Sequence, residues 1–180
     1  CVAILNDETI NKNPKYKEIL NIVKKSFLNE DDSKENFNID KFVCDEISLL
    51  EDNEIPKFLF HRYRYDQYPI LKKIDDYPPY LQIEPSSICN FRCVFCYQTD
   101  KSFSDPKSKH MGVMNFDTYK LIVDQAVGNI EFLSLASRGE PLVAKDFGKM
   151  MEYSVGKFLN LKINTNASLL NEKRCHAILT

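Results

Sequence analysis

Tyr80-Leu81-Gln82-Ile83-Glu84-Pro85-Ser86-Ser87-Ile88-Cys89-Asn90-Phe91-Arg92-Cys93-Val94-Phe95-Cys96 decides how the chain is read. The first five residues alternate like a short strand, and Pro85 ends it. Within the next eleven residues come three cysteines, spaced Cys-x3-Cys-x2-Cys. One loop at the end of a strand therefore carries three thiols. Outward from it, Phe116, Tyr119, Ile122, Val123, Ala126 and Val127 predict a helix capped near Asn115. Residues 130–135 read as a second strand, and Phe147, Met150, Met151, Val155 and Phe158 as a second helix. Residues 161–164 read as a third strand, with a third helix from about Asn171. The order β-α-β-α-β-α with short connections predicts parallel strands. In such folds working groups sit at the carboxyl ends of the strands. Three segments lie there: 85–97, 136–141 and 164–168.

Residues 1–76 have a different grammar and read as a mainly helical N-terminal extension. Tyr16, Ile19, Leu20, Val23 and Phe27 form one apolar stripe, and Ile39, Phe42, Val43, Ile47 and Leu50 a second. A polar stretch at 30–36 separates them. Residues 55–69 interleave aromatic and basic groups, which could stack on bases. A helix covering a core edge is the simpler reading. The net charge of −2 argues against nucleic acid or an anionic membrane as partner. No apolar run is long enough to span a membrane as a helix.

Six cysteines in 180 residues suggest a disulfide framework, but three cluster and three (Cys1, Cys44, Cys175) are scattered. No signal peptide precedes them, which favours metal binding in the cytoplasm. Cys44 and Cys175 are expected to be small core residues. A cubane cluster normally takes four cysteines. Three leave one iron open to a small chelating molecule. The rival is a zinc site completed by His61, His110 or His176; the usual paired-cysteine spacing is missing.

The Cys-x3-Cys-x2-Cys loop, with Phe95 before its last cysteine, resembles the signature of the radical S-adenosylmethionine (SAM) superfamily. Ser137-Arg138-Gly139-Glu140-Pro141 looks like the Gly-Gly-Glu-Pro segment of that family. Asn164-Thr165-Asn166-Ala167 looks like its Thr-Asn-Gly turn. The resemblance covers about residues 80–180 and implies the first half of a partial (β/α) barrel, three β/α units long. It implies a [4Fe-4S] cluster held by Cys89, Cys93 and Cys96, and SAM as cofactor. Reductive cleavage of SAM then yields methionine and a 5′-deoxyadenosyl radical that takes a hydrogen atom from the substrate. The implied cofactor contacts are Phe95, Ser137, Arg138, Gly139, Glu140, Pro141, Asn164 and Asn166. Phe95 would lie beside the adenine, Glu140 would receive the ammonium, and Asn164 would touch the carboxylate or ribose. Arg138 replaces a glycine, so its side chain must point away, for instance to an anionic substrate group. Ala167 replaces the turn glycine, so that turn is expected not to need a positive φ. A one-electron donor such as flavodoxin or ferredoxin is implied. A peptide or protein substrate is favoured over a carbohydrate, another small metabolite or RNA. The missing initiator Met and the three β/α units lead to the expectation that this is a fragment of a longer protein.

Overall fold

A computed structural model describes residues 2–5, 13–30, 37–105, 107 and 109–179. Most of the polar stretch at 30–36, and Cys1, lie outside the described residues. The chain divides into two compact units, Cys1–Pro79 and Tyr80–Thr180.

The first unit is helical: α1 (Val2–Leu5), α2 (Pro14–Phe27), α3 (Lys41–Ile47) and α4 (Ile55–Leu71). Asn13 caps α2 by accepting from the Lys15 N–H, and Asp40 caps α3 by accepting from the Val43 N–H. The predicted stripe of α2 is its buried face: Tyr16, Ile19, Leu20 and Val23 are all buried. The aromatic–basic segment is α4. Its Phe58, Phe60, Tyr63 and Arg64 are buried. Arg64 bonds Asp75 at 2.6 Å and the Tyr77 carbonyl at 2.5 Å, and its guanidinium lies over the Phe60 ring. Arg62 pairs with Asp66 at 2.9 Å. Two of the cations that could have met phosphates, Arg62 and Arg64, are thus paired within this unit. Cys44 corrects an expectation: it is exposed on α3, because Val43 and Ile47 take the buried face.

The second unit holds a parallel sheet of β1 (Tyr80–Ile83), β2 (Phe132–Leu135) and β3 (Asn160–Ile163) in the order β1-β2-β3. The register pairs Ile83 with Leu135 and Leu135 with Ile163. Between and after the strands run the short α5 (Lys101–Ser104), then α6 (Phe116–Ala126), α7 (Phe147–Ser154) and α8 (Glu172–Leu179). This is the expected run of β/α units of a partial barrel. Side chains alternate across a strand, so Ile83, Leu133, Leu135, Leu161 and Ile163 share the face that packs on Tyr119, Val123, Phe147, Met150 and Met151. The expected cap is present: Asn115 accepts from the Thr118 N–H at 2.8 Å. α7 stops at Ser154, short of the stripe ending at Phe158. Gly156 adopts φ +67, a left-handed turn that closes the helix end and leads directly to β3.

Candidate cofactor and cluster site

The cysteine loop leaves β1 and is pinned at both ends. Ser86 bridges Val113, the Ser87 N–H donates to the Gly112 carbonyl at 3.0 Å, and the buried Gln98 amide donates to the Ser87 carbonyl at 2.7 Å. Between these anchors Cys89, Cys93 and Cys96 are half-buried free thiols. The Cys96 N–H closes a turn on the Cys93 carbonyl at 2.9 Å. Val94 and Phe95 stand out at the tip of that turn, 94% and 90% exposed.

The 137–141 segment follows β2 and packs on the cysteine loop. Gly139 is the tightest point: a Cβ there would lie 1.9 Å from the Ser86 carbonyl oxygen and 2.8 Å from that of Ile88. Only glycine fits. The close approach is to the protein's own backbone. The neighbouring Glu140 N–H donates to the Ile88 carbonyl at 3.0 Å.

Glu140 is 2% exposed. Its Oε1 accepts from the Leu142 N–H (3.1 Å) and the Thr165 hydroxyl (2.6 Å), and its Oε2 from the Asn166 N–H (2.8 Å). A carboxylate can be buried only when paired and hydrogen-bonded, and here the partners are internal. The expectation that this side chain faces an ammonium is therefore revised: it joins the 137–141 segment to the turn after β3. Pro141, also buried, starts a short 3-10 turn over Pro141–Val143.

Arg138 is likewise spoken for. Its backbone N–H and Nε donate to Glu84 Oε2 (2.9 and 3.2 Å) and a terminal nitrogen to Oε1 (3.0 Å). Burial pushes the Glu84 carboxyl up, and the Arg138 bonds outweigh it, leaving that carboxyl below its usual range. The side chain does point away from the glycine path, but to the end of β1 and not into open space. Ser137 and Asn164 are exposed.

The turn after β3 reaches the cysteine loop. Asn166 Nδ2 donates to Asn90 Oδ1 at 3.1 Å and stands 3.9 Å from Cys89 Sγ. Asn90 Nδ2 donates to the Ser168 hydroxyl at 2.8 Å. Ala167 has φ +63, so this turn does use the left-handed region, contrary to expectation: alanine sits where glycine would be unstrained. Glu84, Asn90, Thr165 and Ser168 were not among the expected site residues. Glu84, a carboxylate at a strand's carboxyl end, and Thr165, inside the Thr-Asn turn, each carried a signal; Asn90 and Ser168 carried none.

Among the described residues no three His, Cys, Asp or Glu side chains converge so as to hold one metal ion. His61 lies in the other unit, where its ring bonds the Pro79 carbonyl at 2.7 Å. In a cubane each ligated iron takes its own thiolate, so three thiols along one loop fit that group by number, type and spacing.

The sequence model of the radical SAM superfamily matches residues 83–179, more than half of the chain. The chain belongs to the radical SAM superfamily. Members use a [4Fe-4S] cluster and SAM, and the protein is an enzyme of that kind. Over 100 residues it is 31% identical to a GTP 3′,8-cyclase of Clostridium botulinum (strain Hall), covering 52% of this chain and 29% of that one. A GTP 3′,8-cyclase of Campylobacter lari is 33% identical over 99 residues, with the same shares. The chain thus spans under a third of the length of these relatives. A crystal structure of BtrN in complex with AdoMet and 2-DOIA aligns at 26% identity and a TM-score of 0.48, over 58% of this radical SAM chain and 42% of that one.

Proposed function

We propose that residues 80–180 bind a [4Fe-4S] cluster through Cys89, Cys93 and Cys96 and hold SAM beside it for radical formation. The single observation that carries this is the joining of three loops at one end of the parallel sheet: the thiol loop, 137–141 and 164–168. When bound, the cluster supplies the electron that cleaves the SAM sulfonium, and the resulting radical abstracts hydrogen from substrate. The chain's own residues bind and orient. The backbone at Ser137, Arg138 and Gly139 takes the methionine end, and Asn164, exposed beside it, takes the carboxylate or ribose. The backbone at Phe95 meets the adenine. Glu140 and Pro141 fix the segment's shape, and Asn166 sets the thiol loop. A flavodoxin or ferredoxin delivers the electron, in the cytoplasm, where free thiols persist.

For the substrate we propose a purine nucleotide. The support is the cyclase name shared by the curated relatives over the matched half of the chain. Those relatives lend no support to peptide modification. The test is anaerobic reconstitution with iron and sulfide. A brown protein with acid-labile sulfide, bleached by dithionite, is expected. Replacing all three loop cysteines with Ala should abolish cluster iron, whereas Cys44→Ala and Cys175→Ala should not. With SAM and dithionite, 5′-deoxyadenosine release should rise when GTP is added. A zinc-loaded protein without sulfide would overturn the cluster, and release indifferent to GTP would overturn the nucleotide.

A further inference from the structure

The side chain of Asn166 has every polar atom engaged, and the partners decide which way it faces. Its Oδ1 accepts from the Ser168 N–H at 3.0 Å and the Ser168 hydroxyl at 2.6 Å. Two donors on that atom require it to be oxygen. The NH2 group is then turned to Asn90 Oδ1 and to Cys89 Sγ. One amide hydrogen serves each acceptor. The Ser168 hydroxyl, donating to Asn166, is free to accept from Asn90 Nδ2, as it does at 2.8 Å. The backbone beneath is fixed too. The Asn166 N–H and the Thr165 hydroxyl end on the buried Glu140 carboxylate, and the Thr165 hydroxyl oxygen also accepts from the Ala167 N–H at 3.0 Å. The left-handed Ala167 bends the chain so that Ser168 can return to Asn166. Cys89 Sγ also receives the Phe91 N–H at 3.4 Å.

A sulfur facing two N–H groups is stabilised as it gains negative charge. Hydrogen bonds to cluster sulfurs are one of the terms that set reduction potential. Resting on the reading of Cys89 as a cluster ligand, we propose that Asn166 is a positioning residue for that thiolate. Its side-chain amide, oriented by Ser168 on a backbone that Glu140 holds, donates to Cys89 Sγ and raises the reduction potential of the cluster.

The experiment is potentiometry without SAM, on anaerobically reconstituted wild type and variants of matched iron content, alongside urea unfolding of the apo-proteins. Failure of the wild type to form a cluster would strike the proposed function and leave no thiolate to tune. With a wild-type cluster present, Asn166→Ala should lower the reduced-to-oxidised ratio at a fixed potential about tenfold, a shift of about 59 mV for one electron. Asn166→Asp, nearly the same shape but with a negative oxygen toward the sulfur, should lower it at least as far. Ala167→Gly relieves the left-handed turn without touching the amide. It should raise apo-protein stability and leave the potential unchanged. Unchanged potentials in both Asn166 variants would overturn the proposal. So would an equal shift in Ala167→Gly, which would make loop shape the cause. Loss of cluster assembly in both Asn166 variants with unaltered apo-protein unfolding would also overturn it, making Asn166 an assembly residue.

Discussion

A carboxylate hidden between two loops answers to shape as much as to charge. Glu140→Gln keeps the outline of the side chain but puts an NH2 group where an oxygen accepted. Whichever way the amide turns, it faces either the Asn166 N–H or the Leu142 N–H and Thr165 hydroxyl. Leaving a buried donor without an acceptor costs about 1–3 kcal/mol. Glu140→Gln should therefore lower apo-protein stability by roughly that amount, read as a shift in the urea midpoint at unchanged slope. Weakened SAM binding with unaltered stability would restore Glu140 to the ammonium. The sequence made the residue conspicuous, through Gly139 and Pro141 beside it and the strand before it. What it could not give was the partner. Thr165 and Asn166 are 25 and 26 residues away, and no local spacing encodes a hydrogen bond across that distance. Arg138 was legible as a departure from the family pattern, while its pairing with Glu84, 54 residues back, was not, for the same reason.

At the scale of strands and helices, periodicity carried the reading. The alternation of 80–84, the cap at Asn115 and the apolar stripes each located an element to within a few residues. Two helices were read too long: α3, whose stripe took in Ile39 and Leu50, and α7, where Val155 and Phe158 extend the stripe although the backbone has already turned at Gly156. Alternation also divides β2 between two faces. Leu133 and Leu135 enter the helical core, while Ser134 lies opposite, in register with Gln82 and Lys162. Ser134 is fully buried, and its hydroxyl has no hydrogen-bond partner among the described residues. An unpaired buried hydroxyl opposes folding. Ser134→Ala should raise stability by about 1 kcal/mol, measured by denaturant unfolding of the apo-protein. A loss of stability would mean that the hydroxyl has a partner in solution.

Taken whole, the molecule joins a unit built on hydrophobic helices to one built to bind, and their acid responses should differ. His61, in the first unit, is pushed down to about 4 from 6.5, chiefly by burial, with the Arg64 and Arg62 charges adding and the Pro79 carbonyl opposing. A histidine with a depressed folded value is neutral when folded and takes up a proton on unfolding. Its contribution is complete above about pH 6.5 and is lost as pH falls toward 4. That window of about 2.5 units corresponds to about 3 kcal/mol. The helical unit should lose stability by roughly that much between pH 6.5 and 4, beyond what a His61→Phe variant loses, followed by circular dichroism during urea unfolding. Equal slopes in the two proteins would show that His61 is solvated. None of this was visible in the sequence, where His61 stood only as a possible zinc ligand.

The bond from Asn166 to Cys89 spans 77 residues, which gives the site an order in time. The thiols leave the ribosome well before the turn that clamps them. Contacts so distant in sequence carry a large loop-closure cost and slow folding. Asn166 can therefore meet the Cys89 thiol only after β2 and β3 have been synthesised, so the contact joins the cysteine loop to the far side of the sheet.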